Sequence, residues 1–310
     1  MRLLVVGAGS TGGYFGGRLM QAGREVTFLV RPARAAALRA QGLRLVSPHG
    51  DATLQPQLVT AGGIAAPYDV LLLTLKGFQL DAALDEIAPA VARDTLILPV
   101  LNGMRHMDVL ASRFSAHNLI GCVLKVSTVI EDDGRIVQLT PLQDLAYGEL
   151  DGQVTPRVRA LDEFLKGADI GARLSTHITR ELWEKWALLS SLGAITCLMR
   201  GTIGEVVASP GGTGFALSLL DEVTGIVRAV GEPPSEAFVK SARAVLTASG
   251  SALASSMFRD VQRGRQVEVE TIIGDLLGRA TRAGIDAPLL SAAYTHLCLY
   301  QRRLDLARPG

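Results

Sequence analysis

Leu3-Leu4-Val5-Val6-Gly7-Ala8-Gly9-Ser10-Thr11-Gly12 opens the chain with an apolar, strand-like run that ends in a turn carrying three glycines. Positions without side chains let a backbone turn sharply and approach a phosphate, and the N–H groups that open a following helix point at its negative charge. With 33 glycines in 310 residues, this spacing alone arises by chance roughly 0.4 times per chain. Its setting carries the reading. Residues 13–22 have the pattern of a helix, Gly23 suits a left-handed C-cap, and residues 25–30 follow as a second strand. Strand, glycine turn, helix and strand in about 30 residues is the βαβ unit that seats a dinucleotide pyrophosphate. Gly7, Ala8, Gly9, Ser10, Thr11 and Gly12 are its cofactor-binding residues.

The end of the second strand discriminates between cofactors. An NAD site places Asp or Glu there for the ribose 2′-hydroxyl, whereas a 2′-phosphate wants a cation. Here the residue is Arg31, followed by Pro32 and Arg34. The nearby acid, Glu25, begins the strand and lies about 20 Å away at roughly 3.3 Å per residue. NADP(H) is therefore expected, with Arg31 pairing with the phosphate in a charge-assisted fork.

Composition excludes several partners. The chain carries 31 basic and 30 acidic residues, a net charge of +1 without a basic run, which argues against nucleic acid and acidic membrane surfaces. Cys122, Cys197 and Cys298 are odd in number and far apart, as reduced cytoplasmic thiols are, and imply neither a disulfide framework nor a metal site. The N-terminus enters a strand directly, without a signal-peptide leader. The uncharged stretch 186–199 is too short to span a bilayer, which takes ~20 residues. A cytoplasmic protein is expected.

Along the chain, residues 43–46 and 53–59 are candidate short strands, while 68–75 and 96–101 are nearly continuous apolar runs suited to strands buried on both faces. Between the latter two, Ala83, Leu84, Ile87, Ala88 and Val91 give 81–91 helical spacing and imply a second βαβ unit. Segments 119–129, 136–139 and 146–148, around a turn at 131–134, are expected to finish the sheet in antiparallel fashion. After about Ser175 the texture becomes alanine- and leucine-rich: 178–200, 212–230, 235–253 and 271–283 read as helices. The expected architecture is α/β, a doubly wound, Rossmann-type NADP-binding domain over 1–174 and an all-helical substrate domain over 175–310. Such a pair would leave a cleft for substrate and cofactor. The long apolar helices suit a homodimer surface as well as a core.

Two segments hold candidate chemistry. In Arg180-Glu181-Leu182-Trp183-Glu184-Lys185-Trp186, Lys185 lies one turn from Leu182, Leu188 and Leu189. It either snorkels past them as a solvated charge or pairs with Glu181, or, partly desolvated, it delivers a proton to an oxygen acquiring charge. The second segment runs Ser255-Ser256-Met257-Phe258-Arg259-Asp260 and then Arg265-Gln266-Val267-Glu268-Val269-Glu270; it is either a charged surface or part of a site, and Glu268 and Glu270, two apart on a helix, leave at most one facing that site.

Five separated motifs together resemble the 2-dehydropantoate 2-reductase (ketopantoate reductase) family. They are Gly7-x-Gly9-x-x-Gly12, Thr74-Leu75-Lys76, Asn102-Gly103-Met104, Glu181-Leu182-Trp183-Glu184-Lys185, and Ser255-Ser256-Met257 followed at fixed distance by Glu268. The resemblance implies NADPH-dependent reduction of a 2-oxo acid, ketopantoate to pantoate in pantothenate biosynthesis. On it, Lys185 matches the general acid that protonates the alkoxide, and Glu268 the acid that binds the substrate hydroxyl and supports the lysine. Ser256 matches a ligand of the substrate carboxylate, Asn102 and Lys76 match residues that orient cofactor and substrate at the nicotinamide end, and Arg31 matches the 2′-phosphate ligand.

The chain also departs from the family pattern. Family members that reduce ketopantoate usually carry asparagine where this sequence has Leu189, Gly193 and Leu253. Each lost amide removes a hydrogen bond of about 0.5–1.5 kcal/mol, so a more apolar 2-oxo acid, or a related carbonyl or imine, stands beside ketopantoate. A non-catalytic NADP(H) sensor is the remaining alternative; it would need none of Lys185, Glu268 and Ser256.

Overall fold

The computed structural model describes residues 1–307, and the chain divides into two compact units. The first comprises Met1–Leu101 and His106–Thr179; the second takes Asn102–Arg105 and the chain from Arg180 onward.

The first unit begins with β1 (Arg2–Val6), α1 (Ser10–Gln21), β2 (Glu25–Leu29) and α2 (Pro32–Gln41). β3 (Leu43–Val46), β4 (Ala52–Leu54), β5 (Gln57–Val59), β6 (Val70–Leu73), α3 (Leu80–Ile87) and β7 (Leu96–Pro99) follow. A parallel sheet of order β5-β2-β1-β6-β7 is its centre. Its strands are apolar because both faces are covered: Leu4, Val5, Leu71, Leu73 and Ile97 are all but fully buried. α1 starts at Ser10, three residues earlier than the apolar spacing predicts, because Gly9 is its N-cap and the glycine turn runs straight into helix. At its other end Gly23 adopts φ +73°, with Gly23 N–H donating to Met20 O and Arg24 N–H to Leu19 O, the paired bonds of a Schellman stop.

The expected continuous strand at 53–59 is two strands. Pro56 cannot donate to a ladder, and on either side of it β4 joins β3 while β5 joins β2. The unit continues through α4 (Arg105–Arg113), β8 (Gly121–Ile130), β9 (Ile136–Gly148), α5 (Pro156–Leu165) and β10 (Ala172–Leu174). Here the structure corrects a second expectation. The strands of 119–148 do not complete the parallel sheet but build another, ordered β10-β9-β3-β4 with β8 on β9. A single bridge, Ile97 with Leu119, ties the start of this segment to β7. The polar middle of β9, which reads as a break, belongs to the strand because Oε1 of both Gln138 and Gln143 lies 2.7 Å from the buried Tyr14 hydroxyl. Ladder pairing skips from Gln143 to Gln138, around Pro141.

The second unit is helical: α6 (Ile178–Met199), α7 (Ile203–Ala208), α8 (Gly212–Val230), α9 (Glu236–Leu246), α10 (Ser256–Gln262), α11 (Asp275–Arg282) and α12 (Pro288–Leu306). α6 and α8 fall where the pattern places them. α9 stops at Leu246, seven residues early, ahead of a loop that includes Gly250 at φ +66°. The expected helix at 271–283 begins as a π-helical turn, Glu270–Gly274, before α11. Its core gathers Trp186, Ala187, Ile195, Leu219, Leu220, Val223, Ile273, Leu276, Leu290 and Leu297, each almost fully buried.

Candidate active site

In the first unit the predicted nucleotide residues collect around the carboxyl ends of β1, β2 and β6. Gly7 takes φ +97°, a conformation that a side chain would strain. A Cβ added at Gly12 would lie 2.2 Å from Thr74 Oγ1 and 2.3 Å from Gly7 O, so only glycine lets α1 pack on the end of β6. At Gly9, by contrast, a Cβ would meet nothing within 4 Å. That open face above the turn is the room a pyrophosphate needs. Gly13 N–H is the first to find a helical acceptor, Gly9 O, which leaves the amides of Ser10, Thr11 and Gly12 facing outward at a positive helix end. The Thr74 hydroxyl lies 2.9 Å from both Val6 O and Gly7 O and fixes the turn to β6. Sequence reasoning quoted Thr74 in a motif without giving it this role.

Arg31 is exposed and is the N-cap of α2, with Pro32 in the first turn. Lys76 is the N-cap residue of a short 3-10 turn after β6, its ammonium 5.9 Å from the Phe78 ring. The residues present thus suit a dinucleotide: a glycine cradle, three free amides and cations at the end of β2.

In the second unit, Asn102 and Glu268 come together, with Asn102 Nδ2 donating to Glu268 Oε2 at 3.4 Å. The π-helical turn sets this arrangement. Its wider winding leaves the Ile272 carbonyl to accept from Trp186 Nε1 at 2.8 Å and Ser190 Oγ at 2.9 Å, both on α6. Gly103, at φ +80°, lies so close to Thr271 that a Cβ would stand 2.2 Å from its carbonyl oxygen. The Asn102 loop, α6 and the turn beside Glu268 therefore pack as one body. Lys185 is half-buried on α6 next to Trp186. Its neighbour Glu184 is committed elsewhere, accepting from Ser235 N–H and Oγ at the start of α9.

Glu268 and Glu270 diverge, as their spacing requires: Glu270 accepts from the Tyr294 hydroxyl at 3.0 Å, not from Asn102. Of the two serines before Met257, Ser255 is buried, caps α10 by accepting from Phe258 N–H, and meets Thr196 Oγ1 at 2.8 Å. Ser256 is exposed at the first position of α10. The positions that depart from the family pattern also have distinct surroundings. Leu253 is exposed, Leu189 half-buried and Gly193 buried, with Met257 Cε 2.8 Å from where its Cβ would be. Sequence reasoning quoted Trp186, Gly103 and Met257 within motifs without giving them these roles, and passed over Ser190. The glycine directly after Asn102 was the one legible sign that this loop makes a close approach.

Residues 3–152 match the family model for ketopantoate reductase PanE/ApbA, and residues 177–301 match its C-terminal counterpart. The chain belongs to the ketopantoate reductase family. It is 32% identical over 301 residues to YkpB of Bacillus subtilis, an uncharacterised oxidoreductase, covering 97% of this chain and 99% of that one. With a 2-dehydropantoate 2-reductase of Mesorhizobium japonicum it shares 26% identity, covering 90% and 92%. The crystal structure of 2-dehydropantoate 2-reductase from Geobacter metallireducens superposes with a TM-score of 0.87 at 26% identity, covering 96% and 99%. This ketopantoate reductase relative is thus an oxidoreductase that acts on a CH–OH group with a nicotinamide cofactor. No helix among the described residues is long and apolar enough to cross a membrane.

Proposed function

We propose that the protein reduces a 2-oxo acid to its 2-hydroxy acid with NADPH, with 2-dehydropantoate as the first candidate and pantoate as its product. When bound, the reduced nicotinamide supplies the hydride. Lys185 donates a proton to the C2 oxygen, and an ammonium beside that oxygen favours the charged transition state over the neutral ketone. Glu268 accepts a hydrogen bond from the substrate hydroxyl and supports the lysine; Asn102 and Lys76 orient the nicotinamide end; Ser256 binds the substrate carboxylate. Arg31 supports NADPH over NADH, since β2 ends without an acid that could take a 2′-hydroxyl.

The observation that carries this reading is the Asn102–Glu268 contact, held by the turn onto which Trp186, the residue after Lys185, donates. The 3.4 Å separation suits a site whose hydrogen bonds tighten around substrate.

A second reading, a substrate less polar than ketopantoate, is favoured by Met257. Its methyl takes the space beside Gly193 in which a side-chain amide would have to fit. Steady-state kinetics with NADPH across 2-oxo acids bearing hydroxylated, branched, linear and aromatic side chains separate the two. Ketopantoate clearly best retains the first reading and discards the second; an apolar oxo acid best does the reverse. No turnover with any of them discards both.

A further inference from the structure

Arg34 lies in the first turn of α2, three residues after Arg31, so the two side chains leave neighbouring positions at one helix end. Its guanidinium reaches back to the glycine turn, where Nε donates to Ala8 O at 3.3 Å. Nη2 is shielded from water and has no hydrogen-bond partner. Nη1 faces the backbone of the turn joining β8 and β9, 3.7 Å from where a Cβ on Gly134 would be. Of the three carboxylates in that turn, Glu131, Asp132 and Asp133, Asp133 is already taken by Arg135, and none pairs with Arg34 among the described residues. Burial accordingly pushes this guanidinium below its ordinary value, with no acid to hold it up.

A cation drawn partly out of water, anchored on one edge and unsatisfied on another, is costly unless a ligand completes it. Its anchor is the loop on which the dinucleotide would sit, and its neighbour is the cation at the end of β2. We infer that Arg34 is a second ligand of the cofactor's 2′-phosphate, closing with Arg31 into a two-arginine clamp that sets preference for NADP(H) over NAD(H). Planar forks from two sides suit a dianion with several acceptor oxygens, whereas the pyrophosphate already has the outward amides of α1. The inference rests on the NADPH reading proposed above.

Binding of NADPH and of NADH, followed by titration of their fluorescence without any oxo acid, tests it in the wild-type chain, R34M and R34K. R34M is expected to weaken NADPH at least tenfold and NADH less than twofold, and R34K to recover part of the NADPH loss by restoring charge without the fork. Equal weakening of both nucleotides would make Arg34 a brace for the glycine turn and overturn the inference, as would an unchanged NADPH affinity. A wild-type chain that binds NADH as tightly as NADPH would remove the cofactor reading itself. A wild-type preference that survives R34M removes only the role of this arginine. A circular dichroism melt of each variant confirms that it is folded, and R34K carries the test should R34M not be.

Discussion

Lys185 and Glu268 illustrate what single residues can and cannot announce. The apolar spacing around Lys185 is visible in the sequence, and so is the rule that Glu268 and Glu270 cannot face one site together. Spacing alone did not say which glutamate does what, and only the family resemblance singled out Glu268: the difference depends on Tyr294 reaching Glu270 and Asn102 reaching Glu268, contacts 24 and 166 residues apart. If Lys185 is the proton donor, Lys185→Ala should lower kcat by about 10²–10⁴-fold while leaving the NADPH dissociation constant unchanged. A variant that keeps its turnover would return Lys185 to the role of a snorkelling surface charge. The glycines were legible, because a backbone at φ +97° excludes other residues whatever surrounds it; Thr74 was not, because its hydroxyl matters only once β6 lies beside β1. Thr74→Val keeps the shape and removes the bridge to Val6 O and Gly7 O. It should cost about 1 kcal/mol of stability and loosen NADPH more than the oxo acid, as read by urea titration and by separate KM values.

Secondary elements were recovered where one apolar period runs unbroken, as in α6 and α8, and misread where polar groups are satisfied inside an element or backbone geometry changes within it. β9 is the first case, since the Tyr14 hydroxyl serves Gln143, in the stretch that reads as a break, as well as Gln138 in the expected strand. The π-helical turn is the second: no period marks it, yet its Ile272 carbonyl receives two donors from α6. Trp186→Phe retains the ring packing and deletes one donor. It should destabilise the protein by about 1 kcal/mol and raise KM for the oxo acid through the displaced turn, with NADPH binding intact; kinetics indistinguishable from wild type would detach the turn from the site.

The start of α5 carries a pH prediction. Burial works to raise Glu149, but hydrogen bonds from Arg157 and Thr155 outweigh it and hold the carboxyl below its usual range. Arg157 meets it with Nε at 2.7 Å and Nη2 at 2.5 Å. A carboxyl depressed in the folded state contributes stability that is present above its unfolded value of about 4.3 and lost as pH falls through the folded one. Glu149→Gln should therefore weaken the protein by about 1–3 kcal/mol at neutral pH and flatten the acid side of its stability profile below pH 4–5. An acid limb as steep as in wild type would show that the pair contributes nothing there.

At the scale of the whole molecule, strands are local and sheets are not. Apolar runs such as Val70–Leu73 announce themselves and Pro56 marks a break, but nothing near residues 52–59 reveals that the two halves go to different sheets, or that β8 and β9 leave the parallel sheet to join β3. Those choices are made by pairings that cross as many as 91 residues, Leu45 with Ile136 among them. The nucleotide cradle depends on this assembly, because β1, β2 and β6 must be neighbours before Gly7, Arg31 and Thr74 share a surface. A ligand that binds only the assembled sheet stabilises it by mass action: NADPH at 100 times its dissociation constant adds about 2.7 kcal/mol, on the order of 5–10 °C for a unit of this size. Thermal melts with and without NADPH should show that rise, and Thr74→Val should shrink it at the same cofactor concentration. A melting curve that neither NADPH nor NADH moves would mean the cradle does not hold a dinucleotide, and the reductase chemistry assigned to the chain would lose its source of hydride.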